Sequence, residues 1–290
     1  MKLSDFFIQE IYKITGTDKI FGYIGGMLAH LVDSIYLNKD VEMVNMITEQ
    51  GAGFAAEGYS RSTGKLGIAI ATSGPGATNL VTPIANAFFD SIPMLFITGQ
   101  VNTYEYKKYD IKQCAFQETD IVSIVSPIVK YAKLVTRAED IKYELQKAIH
   151  IATTGRKGPV LLDIPMDIQR AEIDVDLLKS FEYPEMKSEI DFDVSIIEKA
   201  KKPLILVGNG INLSGATNAL KQFLDKTQIP VVESLLGVDT VLDKYKYNMG
   251  LIGTYGNRYG NISLHNTDLP MGRHRILAHR LAHKQLLLVR

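Results

Sequence analysis

Only one cysteine, Cys114, stands in this 290-residue chain, which excludes an internal disulfide framework and a cysteine-based metal cluster. An excess of charge of one sign is missing too. The 32 Lys and Arg cancel the 32 Asp and Glu, and with 22% of residues charged there is no electrostatic footprint for nucleic acid. No apolar run reaches membrane-spanning length. Residues 1–21 read as an amphipathic helix followed by a strand, without the apolar core of a signal peptide, so a cytoplasmic location and no membrane partner are expected. The 46% hydrophobic content is enough for roughly two domains.

The common phosphate motifs are absent as well. Leu66 to Thr72 is a β-branched apolar strand, and Ser73-Gly74-Pro75-Gly76-Ala77-Thr78-Asn79 follows at once, leading into the helical pattern Leu80 to Phe89. No Gly-Lys-Ser/Thr follows, so this is not a Walker loop, and Asn79 occupies the place of a dinucleotide fingerprint's third glycine. Strand, glycine turn and helix still make a ligand-binding edge.

Ahead of it, residues 48 to 64 place one carboxylate, Glu49, between the apolar run Val41 to Ile47, read as a buried strand, and the small-residue helix that starts at Gly51. A desolvated carboxyl at that junction suits proton chemistry. The alternative is an acid in the first turn of a helix, favoured there by the macrodipole. Gly26, Pro75 and Asn79 have structural alternatives of the same kind: a tight turn, a strand terminator and a helix cap.

Several ordered blocks together resemble the thiamine-diphosphate enzymes, and within them the acetolactate synthase-like group. These are Gly22-Tyr23-Ile24-Gly25-Gly26, Thr48-Glu49-Gln50-Gly51-Ala52, Ala55-Ala56-Glu57-Gly58-Tyr59, Thr72 to Leu80, Asp90-Ser91-Ile92-Pro93, Thr98-Gly99-Gln100-Val101, Phe116-Gln117-Glu118 and Gly158 to Pro165. The resemblance implies that Glu49 hydrogen-bonds the ring nitrogen of the cofactor's aminopyrimidine. Sharing a proton there favours the imino form, which prepares the thiazolium carbon to attack a 2-keto acid such as pyruvate, with decarboxylation and carboligation following. It assigns Gly26, Thr72, Pro75 and Asn79 to the pyrimidine pocket, and Phe116 and Gln117 to the substrate side. It also implies Mg2+, a place in branched-chain amino acid biosynthesis, and a homodimer or other homo-oligomer.

The sequence departs from the synthases at Tyr23-Ile24-Gly25-Gly26, where they usually have Tyr-Pro-Gly-Gly, and at Thr48-Glu49-Gln50, where they have His-Glu-Gln. The segment Val101 to Gln113 is longer and more basic than theirs. It lies where substrate choice is made, which keeps open a sister lyase or decarboxylase acting on another keto acid, for instance in surface-sugar biosynthesis.

The expected fold class is α/β, a doubly wound parallel-sheet pyrimidine-binding domain followed by a smaller, incomplete Rossmann-like central domain. Residues 1–166 form the first, 167–190 a linker, 191–269 the second and 270–290 a basic, His-rich tail. Helices are expected at Ser4–Ile14, Met27–Leu37, Gly51–Ser62, Asn79–Asp90, Ala138–Thr153, Val194–Lys199 and Leu213–Thr227. Strands are expected at Lys19–Tyr23, Val41–Ile47, Leu66–Thr72, Met94–Thr98, Lys130–Val135, Pro159–Ile164, Pro203–Val207 and Ile229–Glu233. In the synthases the central domain helps bind FAD, for which Gly208-Asn209-Gly210 is the local signal here.

After Leu269 the resemblance implies another buried strand, whereas Pro270 to His283 reads as a basic amphipathic helix or an out-of-frame tail. His279 and His283 have metal-pair spacing with no third ligand nearby, and no metal site is expected. The family's Gly-Asp-Gly and Asn ligands for Mg2+ and diphosphate have no counterpart in the chain. Residues 1–290 are therefore expected to be inactive alone, as one part of an enzyme completed by another chain or as a non-catalytic remnant.

Overall fold

The computed structural model describes residues 1–185, 193–241 and 245–272, and the chain divides after Pro184 into two units. In the first, α1 (Leu3–Thr15) buries Leu3, Phe6, Phe7, Ile8 and Ile11 and stops at Gly16, whose φ of 62° opens the left-handed conformation that ends it. There follow β1 (Lys19–Gly22), α2 (Ala29–Leu37), β2 (Glu42–Asn45), α3 (Glu49–Thr63), β3 (Gly67–Ala71), α4 (Pro75–Asn79), α5 (Val81–Asp90) and β4 (Met94–Gln100). The unit continues through α6 (Ile121–Val125), β5 (Tyr131–Leu134), α7 (Ile141–Thr153), β6 (Pro159–Pro165) and α8 (Met166–Gln169).

The six strands pair in the order β2-β1-β3-β4-β6-β5, all parallel. Every residue of β3, β4 and β6 is buried. That is why they read as continuous apolar runs, as strands covered by helices on both faces do. The expectation of a buried strand at residues 41–47 is corrected. β2 is an edge strand of four residues, Glu42 and Asn45 are exposed, and Ile47 is 92% exposed. The apolar run belongs partly to the edge and partly to the loop beyond it.

From β1 the chain winds outward to β2, then returns to place β3 on the other side of β1. The loops leaving the carboxyl ends of β1 and β3 therefore diverge and leave a crevice, the usual ligand position in an open α/β sheet. The helix expected as one piece from Asn79 is two. Gly74, at φ 64°, and Pro75 at the first helical position start α4 four residues earlier. After β6, residues 166–178 return to the amino terminus: the Leu3 amide donates to the Ala171 carbonyl at 2.8 Å, and Ile168 and Leu178 are buried.

The second unit contains α9 (Ser195–Lys199), β7 (Pro203–Val207), α10 (Gly210–Leu213), α11 (Thr217–Thr227), β8 (Val231–Glu233), β9 (Asn248–Leu251), α12 (Arg258–Asn266) and β10 (Leu269–Met271). Its four-stranded parallel sheet runs β10-β7-β8-β9 over a core of Ile205, Val207, Leu224, Ile229, Val231 and Val241. β10 corrects the expectation that the strand pattern breaks after Leu269. Pro270 is tolerated because β10 is an edge strand. His279, His283 and the rest of the expected tail beyond residue 272 lie outside the described residues.

Candidate functional site

Glu49 opens α3 because Thr48 caps that helix, its hydroxyl accepting from the Gly51 amide at 3.1 Å. Glu49 is half-buried rather than desolvated, which corrects the sequence expectation. Its Oε2 accepts from Asn79 Nδ2 at 3.0 Å. Among the described residues no protein donor reaches Oε1. Gly76 brings α4 this close, since a Cβ there would lie 3.3 Å from Glu49 Oε1 and 2.7 Å from Thr72 Cγ2.

Thr72, buried at the end of β3, accepts from the Met27 amide through Oγ1 at 3.2 Å. On the facing loop the steric demand falls on Gly25, where a Cβ would meet Thr72 Cβ at 2.5 Å. Gly26 is exposed, and nothing lies within 4 Å of where its Cβ would be. Met27 is held on its other side too: its carbonyl accepts from Gln169 Nε2 at 2.8 Å and crowds the position a Cβ on Gly99 would take. Pro75 is exposed at the start of α4.

Phe116 is 77% exposed, and Gln117 adopts a φ of 60°. Gln117 lies over Gly74, where an added Cβ would come within 2.9 Å of both its Cβ and its carbonyl oxygen. Glu118 fastens the loop beneath them. Burial opposes its charge, yet the amides of Lys107 at 2.7 Å, Cys114 at 2.6 Å and Ala115 at 3.1 Å hold its carboxyl below the ordinary range. Within β6, burial pushes Asp163 up to about 7, offset in part by hydrogen bonds from Thr98 Oγ1 at 2.7 Å and Gln100 Nε2 at 2.9 Å.

Two known domains match the chain: the thiamine pyrophosphate enzyme N-terminal TPP binding domain over residues 1–124, and the thiamine pyrophosphate enzyme central domain over residues 190–272. The chain belongs to the thiamine pyrophosphate enzyme family. Among its relatives, the acetolactate synthase large subunit of Corynebacterium glutamicum is 41% identical over 259 residues, covering 87% of this chain and 41% of that protein. That of Lactococcus lactis is 38% identical over 268 residues, 90% of this chain and 46% of the relative. The isozyme 2 large subunit of Escherichia coli is 38% identical over 269 residues, 90% and 47% respectively. The chain thus spans about half the length of the curated relatives it matches.

For a thiamine pyrophosphate enzyme, the arrangement brings Glu49, Thr72, Pro75 and Asn79 to one edge of the sheet, with Gly26 on the facing loop and Gln117 against the Gly74 turn. Phe116 points away from the protein interior. Sequence reading missed Gly25, Gly76, Gly99 and the Met27 backbone as the parts that let these loops meet. The Gly25-Gly26, Gly74-Pro75-Gly76 and Thr98-Gly99-Gln100 blocks carried the signal, without showing which glycine takes the contact. Among the described residues, no three His, Cys, Asp or Glu side chains gather as a metal ion would require.

Proposed function

We propose that this chain supplies the pyrimidine-side acid and pocket of a thiamine-diphosphate-dependent enzyme that decarboxylates a 2-keto acid such as pyruvate and joins the product to a second carbonyl compound. The observation that carries it is Glu49: one carboxylate oxygen is fixed by Asn79, and the other is left for a ligand donor at a crevice whose walls lack side chains at Gly25, Gly26 and Gly76. That fits an aminopyrimidine ring nitrogen and a flat ring. When bound, the cofactor would supply a carbon nucleophile and an electron sink.

Glu49 would hold and move one proton at that ring nitrogen, with Asn79 keeping its carboxyl aimed. Thr72, Pro75 and the Gly26 edge would line the ring, and Phe116 and Gln117 would face the keto acid. Mg2+ and the diphosphate find no ligand cluster among the described residues, so no step is assigned to them here. FAD would have to sit at the second unit's sheet edge, where the buried Asn209 amide has no protein partner; that alone does not favour a flavin. Phe54, at 42% exposure, and Phe89, at 68%, favour self-association, and the assembled enzyme would work in the cytoplasm.

A second reading, a lyase for a different keto acid, draws on the long segment 101–115. Tyr104, Tyr109 and Ile111 on it are each more than half exposed, ahead of the residues on the substrate side.

The deciding experiment is Glu49→Gln, measured in the enzyme assembled with whatever chain carries the diphosphate site, with residues 1–290 alone as the control. Acetolactate formation should fall at least about a hundredfold, because an amide cannot exchange the proton. Circular dichroism should be unchanged, and the control should release no carbon dioxide from pyruvate. Wild-type turnover by the variant would reject the role of Glu49.

A further inference from the structure

The loop that carries Phe116 and Gln117 leaves the sheet at Gln100 and ends where α6 begins at Ile121. Its outer limb is held by Glu118, which accepts from three backbone amides of the loop itself, and Lys107 Nζ donates to Asp120 at 2.6 Å. Those bonds shape the loop. They do not say where it sits relative to the Gly74 turn.

The limb that starts at Thr103 is tied to Asp167, and the limb nearest Phe116 and Gln117 is fixed at one buried point. Gln100, 1% exposed at the end of β4, donates through Nε2 to the Thr119 carbonyl at 2.8 Å and to Asp163 Oδ2 at 2.9 Å, while its Oε1 accepts from the Val101 amide at 3.0 Å. Both amide hydrogens and the carbonyl oxygen are used, so the side chain has one orientation. Asp163, 1% exposed, sets it from below, with its other oxygen accepting from Thr98 Oγ1 at 2.7 Å. Thr119 is two residues from Gln117, whose backbone rests on Gly74, and Gly74 opens the helix that brings Asn79 to Glu49.

We infer that Asp163 and Gln100 are positioning residues: through the Thr119 carbonyl they set the Phe116–Gln117 loop against the turn that leads to Glu49. The inference rests on the reading of Phe116 and Gln117 as the substrate side, but the bond network itself does not need a cofactor. Protonation of Asp163 does not break the link, because a proton on Oδ1 can be donated to Thr98 while Oδ2 goes on accepting from Gln100. The carboxyl therefore acts by geometry rather than by charge. Asparagine can do the same, with its oxygen toward Gln100 and its amide toward Thr98.

The single cysteine reports on this loop. Cys114 Sγ accepts from the Tyr109 amide at 3.2 Å, and its own amide is held by Glu118. The rate of its reaction with a disulfide reagent should be measured in the 290-residue chain, wild type and variants, without cofactor, so that the outcome is independent of any catalytic role. Gln100→Met and Asp163→Val should each react at least tenfold faster than wild type, and Asp163→Asn at the wild-type rate. Wild-type reactivity in Gln100→Met and Asp163→Val would overturn the inference. So would fast reaction in Asp163→Asn, which keeps the hydrogen bonds. A rise matched by an equal loss in the unfolding equilibrium of the whole unit would assign the pair to general stability and overturn it too.

Discussion

Asp163→Asn should change how the first unit's stability depends on pH. Burial pushes this carboxyl from its ordinary 3.8 to about 7. In the folded state it therefore keeps its proton over a range in which the unfolded chain has lost it. The sign follows directly: where the native state binds the extra proton, stability falls as pH rises, from about pH 4 to about pH 7, and is level above. At about 1.4 kcal/mol per pH step the whole loss reaches about 4 kcal/mol. The variant carries a neutral amide in the same bonds and has no such loss. Urea unfolding of the first unit should show Asp163→Asn gaining on the wild type by about 2–3 kcal/mol between pH 5 and pH 8, the rest of the difference having built up between pH 4 and pH 5. Taking the difference cancels the other titrating groups. A difference that stays constant from pH 5 to pH 8 would refute the link between burial and protonation.

Two further substitutions probe the walls of the crevice. Gly25→Ala would place a methyl 2.5 Å from Thr72 Cβ and should lower stability by about 1–3 kcal/mol, read as a lower denaturation midpoint; an unchanged midpoint would show that the loop gives way freely. Thr48→Ala removes the cap of α3 and should cost about 1 kcal/mol in the same assay, whereas Thr48→Ser should hold near wild type.

The doubly wound sheet was legible because β3, β4 and β6 are buried on both faces and carry unbroken apolar runs bounded by glycine and proline. β2 was misread for a reason of context: an edge strand needs only one apolar face, and Met43 supplies it while Ile47 lies outside the sheet. α12 was missed although Asn257 caps it, its side chain accepting from the Gly260 amide at 2.6 Å, because Arg258 to Asn266 has no clean apolar stripe. Glu49 and Asn79 were singled out separately by motif; their hydrogen bond was not readable, since it joins residues 30 apart. The Asp163–Gln100 pair spans 63 positions, and nothing local to either residue announces the other.

Gly25 against Thr72, Gly74 against Gln117 and Gly99 against Met27 are three wedges, each joining one loop of the crevice to another. A side chain added at any of them pushes on two loops at once, so natural variation at these points has little room to act one residue at a time. The outer limb from Thr103 to Gln113 is freer. Apart from the Thr103 contacts with Asp167, its ties run within the loop itself or to Glu118 and Asp120. Insertions and exchanges can accumulate there while the walls around Glu49 stay as they are. Sequence change in this scaffold should therefore collect along that limb and spare the wall that carries Glu49.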